Sequence, residues 1–327
     1  MRAAVVREVG ASPEPGELPD PKPSEGEALV EVHAAALNPI DLAIASGRFY
    51  AGLPKVPYAP GREGAGVVRQ ASSVAPGTRV RFERDYGYGA NGTVAELAVV
   101  DEAALVTLPD EAEDAIAAAL GVAGLAAWLA LRKANVPSGG TVLVLGATGA
   151  VGQVAVQGAK LLGAGKVVAA ARDGEALERT RGLGADEVVL LGDSDLAAAF
   201  GNAAGGEIDA VIDPLWGEPA VAALTALRIG GRLVHLGTSA ALEATIPSAP
   251  LRGKNVAIVG HSNLTTPHEE KARAFRELLD HVIAGRLRVD VDVFPLERIA
   301  DAWREQAVSP HRKIVISLGR ERGENRA

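Results

Sequence analysis

The sequence predicts an α/β protein in which a doubly wound, parallel, six-stranded sheet is inserted in a mostly β domain. Three observations carry this. Between residues 141 and 259, β-rich runs alternate strictly with helical periods. Before residue 107 the chain is a series of short alternating segments punctuated by Pro and Gly, and after residue 270 come elements that do not extend a finished parallel sheet. At 327 residues, and roughly 150 per domain, two domains are expected.

The amino terminus, 1–9, alternates like a strand and reaches Arg7 and Glu8 too soon to hold a signal peptide's apolar core. The Pro-rich piece 12–27 is poor in apolar residues and reads as a surface loop. Alternating segments follow at 28–35, 66–70, 78–83 and 93–100. Pro109, Asp110 and Glu111 then form a helix-start signal ahead of an Ala-rich run that ends near Asn135, since acidic residues suit the positive end of a helix.

Strands are expected at 141–145, 166–171, 187–191, 210–212, 232–236 and 255–259, with helices near 151–162, 174–182, 195–201 and 219–227. Such crossovers must return right-handed to the same edge direction, which demands a parallel sheet covered on both faces, the doubly wound Rossmann plan. The tail offers helices around 271–283 and 296–305 and strands at 288–294 and 313–317. These return to the first domain. The expected division is therefore 1–118 for the catalytic domain, 119–262 for the dinucleotide-binding domain and 263–327 for the return, with the site in the cleft between them.

Composition removes several function classes. The chain is 48% hydrophobic and 23% charged, ordinary for a globular protein. Its 41 acidic against 33 basic residues leave a net charge of −8, and no dense Lys/Arg cluster offers a track for phosphates, so no nucleic-acid partner is expected. The absence of cysteine removes disulfides, thiolate nucleophiles and Cys-ligated zinc, and fits a reducing compartment. The most apolar stretch, 141–171, is cut by six glycines and by Gln153, Gln157, Lys160 and Lys166. Its uninterrupted runs fall short of the ~20 residues a bilayer needs, so no membrane partner is expected and the protein reads as cytoplasmic.

The strongest chemical signal is Gly146-Ala147-Thr148-Gly149-Ala150-Val151-Gly152, between a strand and a helix. Its spacing permits a tight turn at Gly146, backbone approach to a pyrophosphate at Gly149 and close helix-to-strand packing at Gly152. The phosphates would sit on free N–H groups at the helix N-terminus, including those of Thr148, Ala150 and Val151. An NAD site places a carboxylate about 20 residues after the last glycine. Here Ala171 stands at that point and Arg172 follows, which suits a 2′-phosphate; Asp173 is close by, so NADPH is favoured with NADH as the alternative.

Further segments extend the pattern. They are Ala35-Ala36-Leu37-Asn38-Pro39-Ile40-Asp41 with Ser46-Gly47, Pro60-Gly61-Arg62-Glu63-Gly64-Ala65-Gly66-Val67-Val68, Gly121-Val122-Ala123-Gly124, Gly184-Ala185-Asp186, Gly230-Gly231-Arg232-Leu233-Val234 and Lys313-Ile314-Val315. In this order and spacing they resemble the zinc-free quinone oxidoreductases, the zeta-crystallin-like branch of the medium-chain dehydrogenase/reductase superfamily. The resemblance covers nearly the whole chain and implies a GroES-like first domain. It also implies that Asn38 and Arg62 stand where related alcohol dehydrogenases hold a catalytic zinc with Cys and His. His261 and His268 are the one close histidine pair and read as loop residues, so no metal is expected.

Without a Lewis acid, hydrogen-bond donors must stabilise the oxygen that gains charge in hydride transfer, and quinones and conjugated enones ask least of them. The resemblance implies that Asn38 lies near the substrate oxygen and that Asp41 supports its loop, an Asx-turn before Pro39 being the alternative. Tyr50 is the candidate proton donor, with a packed loop aromatic as the other reading. Where relatives often carry Thr, and an aromatic near the adenine, this chain has Ala126 and Leu191. Gly237-Thr238-Ser239 and Gly260-His261-Ser262 follow the fifth and sixth strands, at the carboxyl ends where such sheets bind ligands. The resemblance places them along the nicotinamide, although Thr238 and Ser239 also read as an ordinary turn. Trp216, after the fourth strand, either walls the cleft or caps a loop.

The leading expectation is an NADPH-dependent reductase of quinones or α,β-unsaturated carbonyls. An enoyl reductase acting on a coenzyme A or carrier-protein thioester would share the motifs but should show a basic entrance, for which Lys55 and Arg48 are thin support. A non-catalytic NADPH-binding protein is the third reading, since fold does not fix function. The short apolar edge strand at 255–259 suggests a homodimer in which two such edges pair, as the resemblance also implies.

Overall fold

The computed structural model describes residues 1–192 and 195–319; the end of the expected return segment, 320–327, lies outside them. The chain divides into two units, Met1–Val122 with Pro267–Ala327, and Ala123–Thr266. Both divisions lie a few residues after the expected boundaries at 118 and 262.

Along the chain, the first unit opens with β1 (Arg2–Val5), β2 (Glu14–Glu17), β3 (Glu27–Ala36), α1 (Pro39–Ala45), β4 (Glu63–Gln70), β5 (Arg79–Glu83), β6 (Leu97–Asp101) and β7 (Val106–Thr107). Strand β2 lies in the segment expected to be loop. It pairs antiparallel with β1, Val5 opposite Glu14 and Arg2 opposite Glu17, and carries Pro15. A two-stranded edge tolerates a residue with no N–H, so this strand needs no apolar alternation to form. Helix α1 also replaces a plain Asx-turn. Pro39 occupies its first turn, and the Asp41 carboxylate accepts from the Asn38 N–H at 2.6 Å.

The Ala-rich run begins as α2 (Asp114–Ala119), loosens into a π-helical turn (Leu120–Gly124) and resumes as α3 (Leu125–Ala134), which ends on Asn135 in the left-handed region. This stretch, Asp114–Ala134, is long and apolar enough to cross a membrane by length and composition, and 72% of its most apolar window is buried inside the protein.

The second unit continues with β8 (Thr141–Leu145), α4 (Ala150–Leu161), β9 (Lys166–Ala171), α5 (Gly174–Arg179), β10 (Glu187–Leu190), α6 (Leu196–Ala204), β11 (Ile208–Asp213), α7 (Glu218–Ala226), β12 (Leu227–His235), α8 (Ser248–Lys254) and β13 (Ala257–Gly260). All pairs in its sheet are parallel, in the order β10-β9-β8-β11-β12-β13. The order reverses between β8 and β11, which is the switch point of the doubly wound fold. Strand β12 starts five residues before the expected 232 because Leu227 already pairs with Ile208; the register then shifts and resumes with Arg232 opposite Ala210. Helix α8 was not expected: Pro250 and Gly253 are poor helix formers, and tertiary contacts, Lys254 Nζ to the carbonyls of Thr225 and Leu227, hold it instead.

The chain then returns as α9 (His268–Ile283), β14 (Val291–Pro295), α10 (Ile299–Ala307) and β15 (Lys313–Ser317). The first unit's sheet runs β14-β15-β3-β4-β5-β7, with β6 also on β3. β15 joins antiparallel to β3, Val315 opposite Ala36. Its core gathers Val30, Val68, Phe82, Tyr58, Trp303 and Ile314, and that of the second unit Leu143, Val168, Phe200, Val211 and Leu224. Each fully buried apolar side chain contributes about 1.5–3 kcal/mol, enough for either core to hold its sheet.

Strand β13 ends the parallel sheet with Ile258 and Val259 half-buried and Ala257 and Gly260 exposed. An uncovered edge is a pairing site. Antiparallel pairing with the same strand of a second copy is expected to give a dimer in sedimentation velocity, and a Val259→Pro variant should shift it to monomer; a monomeric parent protein would exclude the pairing.

Candidate active site

In the second unit, β8 and α4 meet at the glycine-rich turn, whose three glycines do different work. Gly146 has φ +60°, and a Cβ there would press on Leu215 and Pro214 at 3.0 and 3.2 Å. At Gly152 a Cβ would lie 2.2 Å from the Gly146 carbonyl oxygen, so only glycine lets α4 pack on the turn. Gly149 is different, because its Cβ would meet nothing nearer than 3.5 Å. The fold itself does not need glycine at 149, and the backbone there is open to approach from outside. Gly149 also N-caps α4 without a side-chain hydrogen bond, leaving the first N–H groups, those of Ala150 and Val151 among them, for an anion. Thr148 is buried, and its carbonyl accepts from Gln153 Nε2 at 2.8 Å, which holds the turn closed. These residues fit a dinucleotide's pyrophosphate.

Next to the turn, Arg172 is exposed at the end of β9, whereas the Asp173 carboxylate accepts from the Ala176 N–H at 3.0 Å and caps α5. The acid that blurred the choice of cofactor thus serves the next helix. Arg172 lines a pocket of about 260 Å³ with Leu191, Leu215, Glu218 and Ser239. The leucines offer apolar walls for a ring, and Arg172 and Ser239 offer donors.

Beyond β12, Gly237 packs so close that a Cβ would lie 2.8 Å from the Pro214 carbonyl. Ser239 and Ala240 donate to the carbonyls of Pro214 and Leu215, so the 237–240 segment prolongs the β11–β12 pairing past the strand ends and leaves the Thr238 and Ser239 side chains exposed. Gly260 is exposed with open space at its Cβ, and His261 donates to the His235 carbonyl. One constellation here was not anticipated. The buried Asp213 accepts from the Leu215 and Trp216 N–H groups at 2.9 Å and holds His235 Nδ1 at 2.9 Å. Trp216, at φ +62°, rests its ring on His235 with centroids 4.3 Å apart.

In the first unit, the residues expected near the substrate form a buried polar network. Asn38 is 2% exposed. Its amide donates to Glu63 Oε1 at 2.8 Å and to the Ala36 carbonyl at 3.3 Å, and its carbonyl oxygen accepts from Lys313. Every polar atom of that side chain has a partner within the protein, so Asn38 braces the loop, and a bond from it to a substrate oxygen would replace one of these contacts. Lys313 also donates to the Leu37 carbonyl at 2.9 Å and pairs with Glu63 at 2.9 Å, and Glu63 accepts in addition from the Val122 N–H. Three oxygens around one ammonium are a ligand set filled by the protein's own cation. Tyr50, the expected proton donor, is 81% exposed, its ring against Phe49. Arg62 is 9% exposed and its guanidinium bonds Asp85. Among the described residues no group of three or more His, Cys, Asp or Glu could hold a metal.

The network includes groups that periodicity does not reveal. Glu63, Arg81, Glu83, Lys271 and Lys313 are buried charges, and the signal for them is a charge repeatedly set into an apolar strand, as in Arg81-Phe82-Glu83. Asp41 is fully buried and accepts from Tyr86 as well as from the Asn38 N–H. Burial pushes its carboxyl up to about 6, against the opposing pull of those two donors and of Lys313.

Two family descriptions match the chain, an alcohol dehydrogenase GroES-like domain over residues 24–110 and a zinc-binding dehydrogenase over residues 150–282. A zinc-type alcohol dehydrogenase-like protein of Schizosaccharomyces pombe is 31% identical over 306 residues, covering 91% of this chain and 87% of that one. The human quinone oxidoreductase is 30% identical over 313 residues, 92% of either chain. A solved quinone oxidoreductase of Thermus thermophilus, described with its NADPH complex, superposes with a TM-score of 0.81 at 32% identity over 97% of this chain and 100% of that one.

The Asp41 carboxyl gives a pH prediction. Its folded-state value, about 6, lies above the ordinary aspartate value of 3.8, so the folded state holds the proton more tightly and stability falls as pH rises through that window. The effect is on the order of 3 kcal/mol. Relative to Asp41→Asn, the parent protein should gain stability in urea denaturation as pH drops from 7 to 4.5; a constant difference would contradict this.

Proposed function

This chain belongs to the medium-chain dehydrogenase/reductase superfamily and fits its quinone oxidoreductase branch, and we propose that it is an NADPH-dependent, zinc-independent reductase of quinones or α,β-unsaturated carbonyls. The observation that carries the reading is the pairing of an open glycine-rich turn with a first unit whose metal-ligand positions, by resemblance, hold Asn38 and Arg62, neither of them a usual zinc ligand.

The bound nicotinamide would supply the hydride, and this chain's residues bind and orient. Gly149 and the free N–H groups of α4 receive the pyrophosphate, and Gly146 and Gly152 keep that turn rigid. Arg172 favours a 2′-phosphate because the neighbouring carboxylate is committed to capping. Leu191 and Leu215 wall the adenine side of the pocket. The segment Gly237-Thr238-Ser239, held along Pro214 and Leu215, and Gly260 offer backbone and hydroxyl groups for the nicotinamide half. Most of the rate comes from positioning, which conjugated acceptors exploit because their charge delocalises.

NADPH oxidation in chelator-treated buffer is expected with a quinone or a cyclic enone and not with a saturated ketone. Turnover of the ketone alone would overturn the mechanism, and silence with all three would favour a binding protein. Arg172→Ala should weaken NADPH about 10-fold more than NADH, as read by cofactor fluorescence; equal losses would remove Arg172 from cofactor choice.

A further inference from the structure

The pocket beside the glycine-rich turn holds a charge that the cofactor reading leaves unused. Glu218, the first residue of α7, lines the same cavity of about 260 Å³ as Arg172. Apart from these two, Ser239 is the one lining residue with a polar side chain. Arg172 and Glu218 are both exposed, and among the described residues neither makes a side-chain hydrogen bond or an ion pair. One cation and one anion thus line a single small space with their bonding capacity unspent.

The fold of the second unit fixes both positions. β8, which leads into the turn, lies between β9 and β11 in the sheet. Arg172 follows β9 and Glu218 comes after β11, so the two reach the pocket from either side of the turn. The stretch leading to Glu218 is held by Asp213, which accepts from the Leu215 and Trp216 N–H groups at 2.9 Å. At Gly217, φ +70°, a Cβ would lie 2.8 Å from the Ala241 Cβ, so glycine there lets the segment after β12 lie against the start of α7. An acid in the first turn of a helix also gains from the helix dipole, but a gain of that kind is indifferent to which cofactor is bound.

We propose that Glu218 sets cofactor choice against Arg172: it accepts a hydrogen bond from the 2′-hydroxyl of NADH and opposes the 2′-phosphate of NADPH, so that the pocket takes both cofactors. This rests on the nicotinamide-cofactor reading above. A dinucleotide with its pyrophosphate on the turn has its adenosine ribose next in line, and the 2′ position is where the two cofactors differ. A 2′-phosphate carries a charge of about −1.5 to −2 near neutral pH. Arg172 can bond it in a fork, while a carboxylate in the same pocket repels it. A ribose hydroxyl is neutral, meets no such repulsion and has a proton to donate. The acid that an NAD site places at the end of its second strand is missing from β9, and α7 supplies one to the same pocket from the other side of the turn. Arg172 therefore tips the choice to NADPH, and Glu218 keeps the margin small.

Dissociation constants of NADPH and NADH, read by cofactor fluorescence on the full-length protein at low and high salt, test this. At low salt Glu218→Gln is expected to bind NADPH about 5-fold more tightly, the size of a Coulomb repulsion across roughly 8 Å of water-like medium. The same variant should bind NADH about 3-fold more weakly, because a neutral acceptor replaces a charged one. The gain for NADPH should fade as salt rises, which a merely structural effect on α7 would not do. Glu218→Asp keeps the charge and the helix start and should hold the NADPH to NADH ratio near that of the parent protein; Glu218→Ala should shift the ratio as Glu218→Gln does and serves in its place should that variant melt early. Equal changes for the two cofactors, or weaker NADPH binding by Glu218→Gln, overturn the inference and leave the reductase reading standing. A parent protein that binds neither cofactor sinks both.

Discussion

The first unit depends on one buried carboxylate. Glu63 has no exposure, and a charge so placed is tolerable only with its partners complete. Those partners come from three distant parts of the chain: Asn38 beyond β3, the Val122 N–H in the π-helical turn, and Lys313 at the start of β15. Removing any one strands a charge, at a cost of about 3–5 kcal/mol where the partner is itself an ion. The return of the chain to the first sheet is thus fixed by electrostatics as well as by the apolar pairing of β15 with β3. The π-helical turn answers to the same constraint. A Cβ at Gly121 would lie 2.0 Å from Glu63 Oε2, so the helix approaches the carboxylate at a glycine.

The second unit solves a different problem with uncharged means. Its turn must bring several N–H groups to one point and keep side chains away from it, and glycine does both. Gly146 and Gly152 are required by contacts within the protein, whereas the space at Gly149 is open. A turn built only for packing would have no use for that third glycine. At the far side of the switch point, Asp213 performs the comparable task by ordering two backbone N–H groups and an imidazole at once.

How much of this was legible follows from the kind of force involved. The six strands of the second unit and the glycine-rich turn were readable because hydrophobic period and glycine spacing are local properties. Strand β2 and helix α8 were not, since Pro15, Pro250 and Gly253 oppose them locally and pairing or capping elsewhere stabilises them. The buried network of the first unit was not legible in its contacts: Asn38 could be singled out, but nothing near it in sequence announces Lys313, 275 residues away. Arg81 and Glu83 alternate with Val80 and Phe82, a pattern that ordinarily reads as one solvated face. Here both faces of β5 are covered, and the charges are paired within the protein.

The buried charge of the first unit is also distributed differently from that of a metal site. A divalent ion concentrates positive potential at a point and needs anionic or imidazole ligands around it. Among its described residues the first unit buries four cationic side chains, Arg62 just before β4, Arg81 on β5, Lys271 on α9 and Lys313 on β15. Charge spread in this way is weaker at any one atom than the charge of a metal ion.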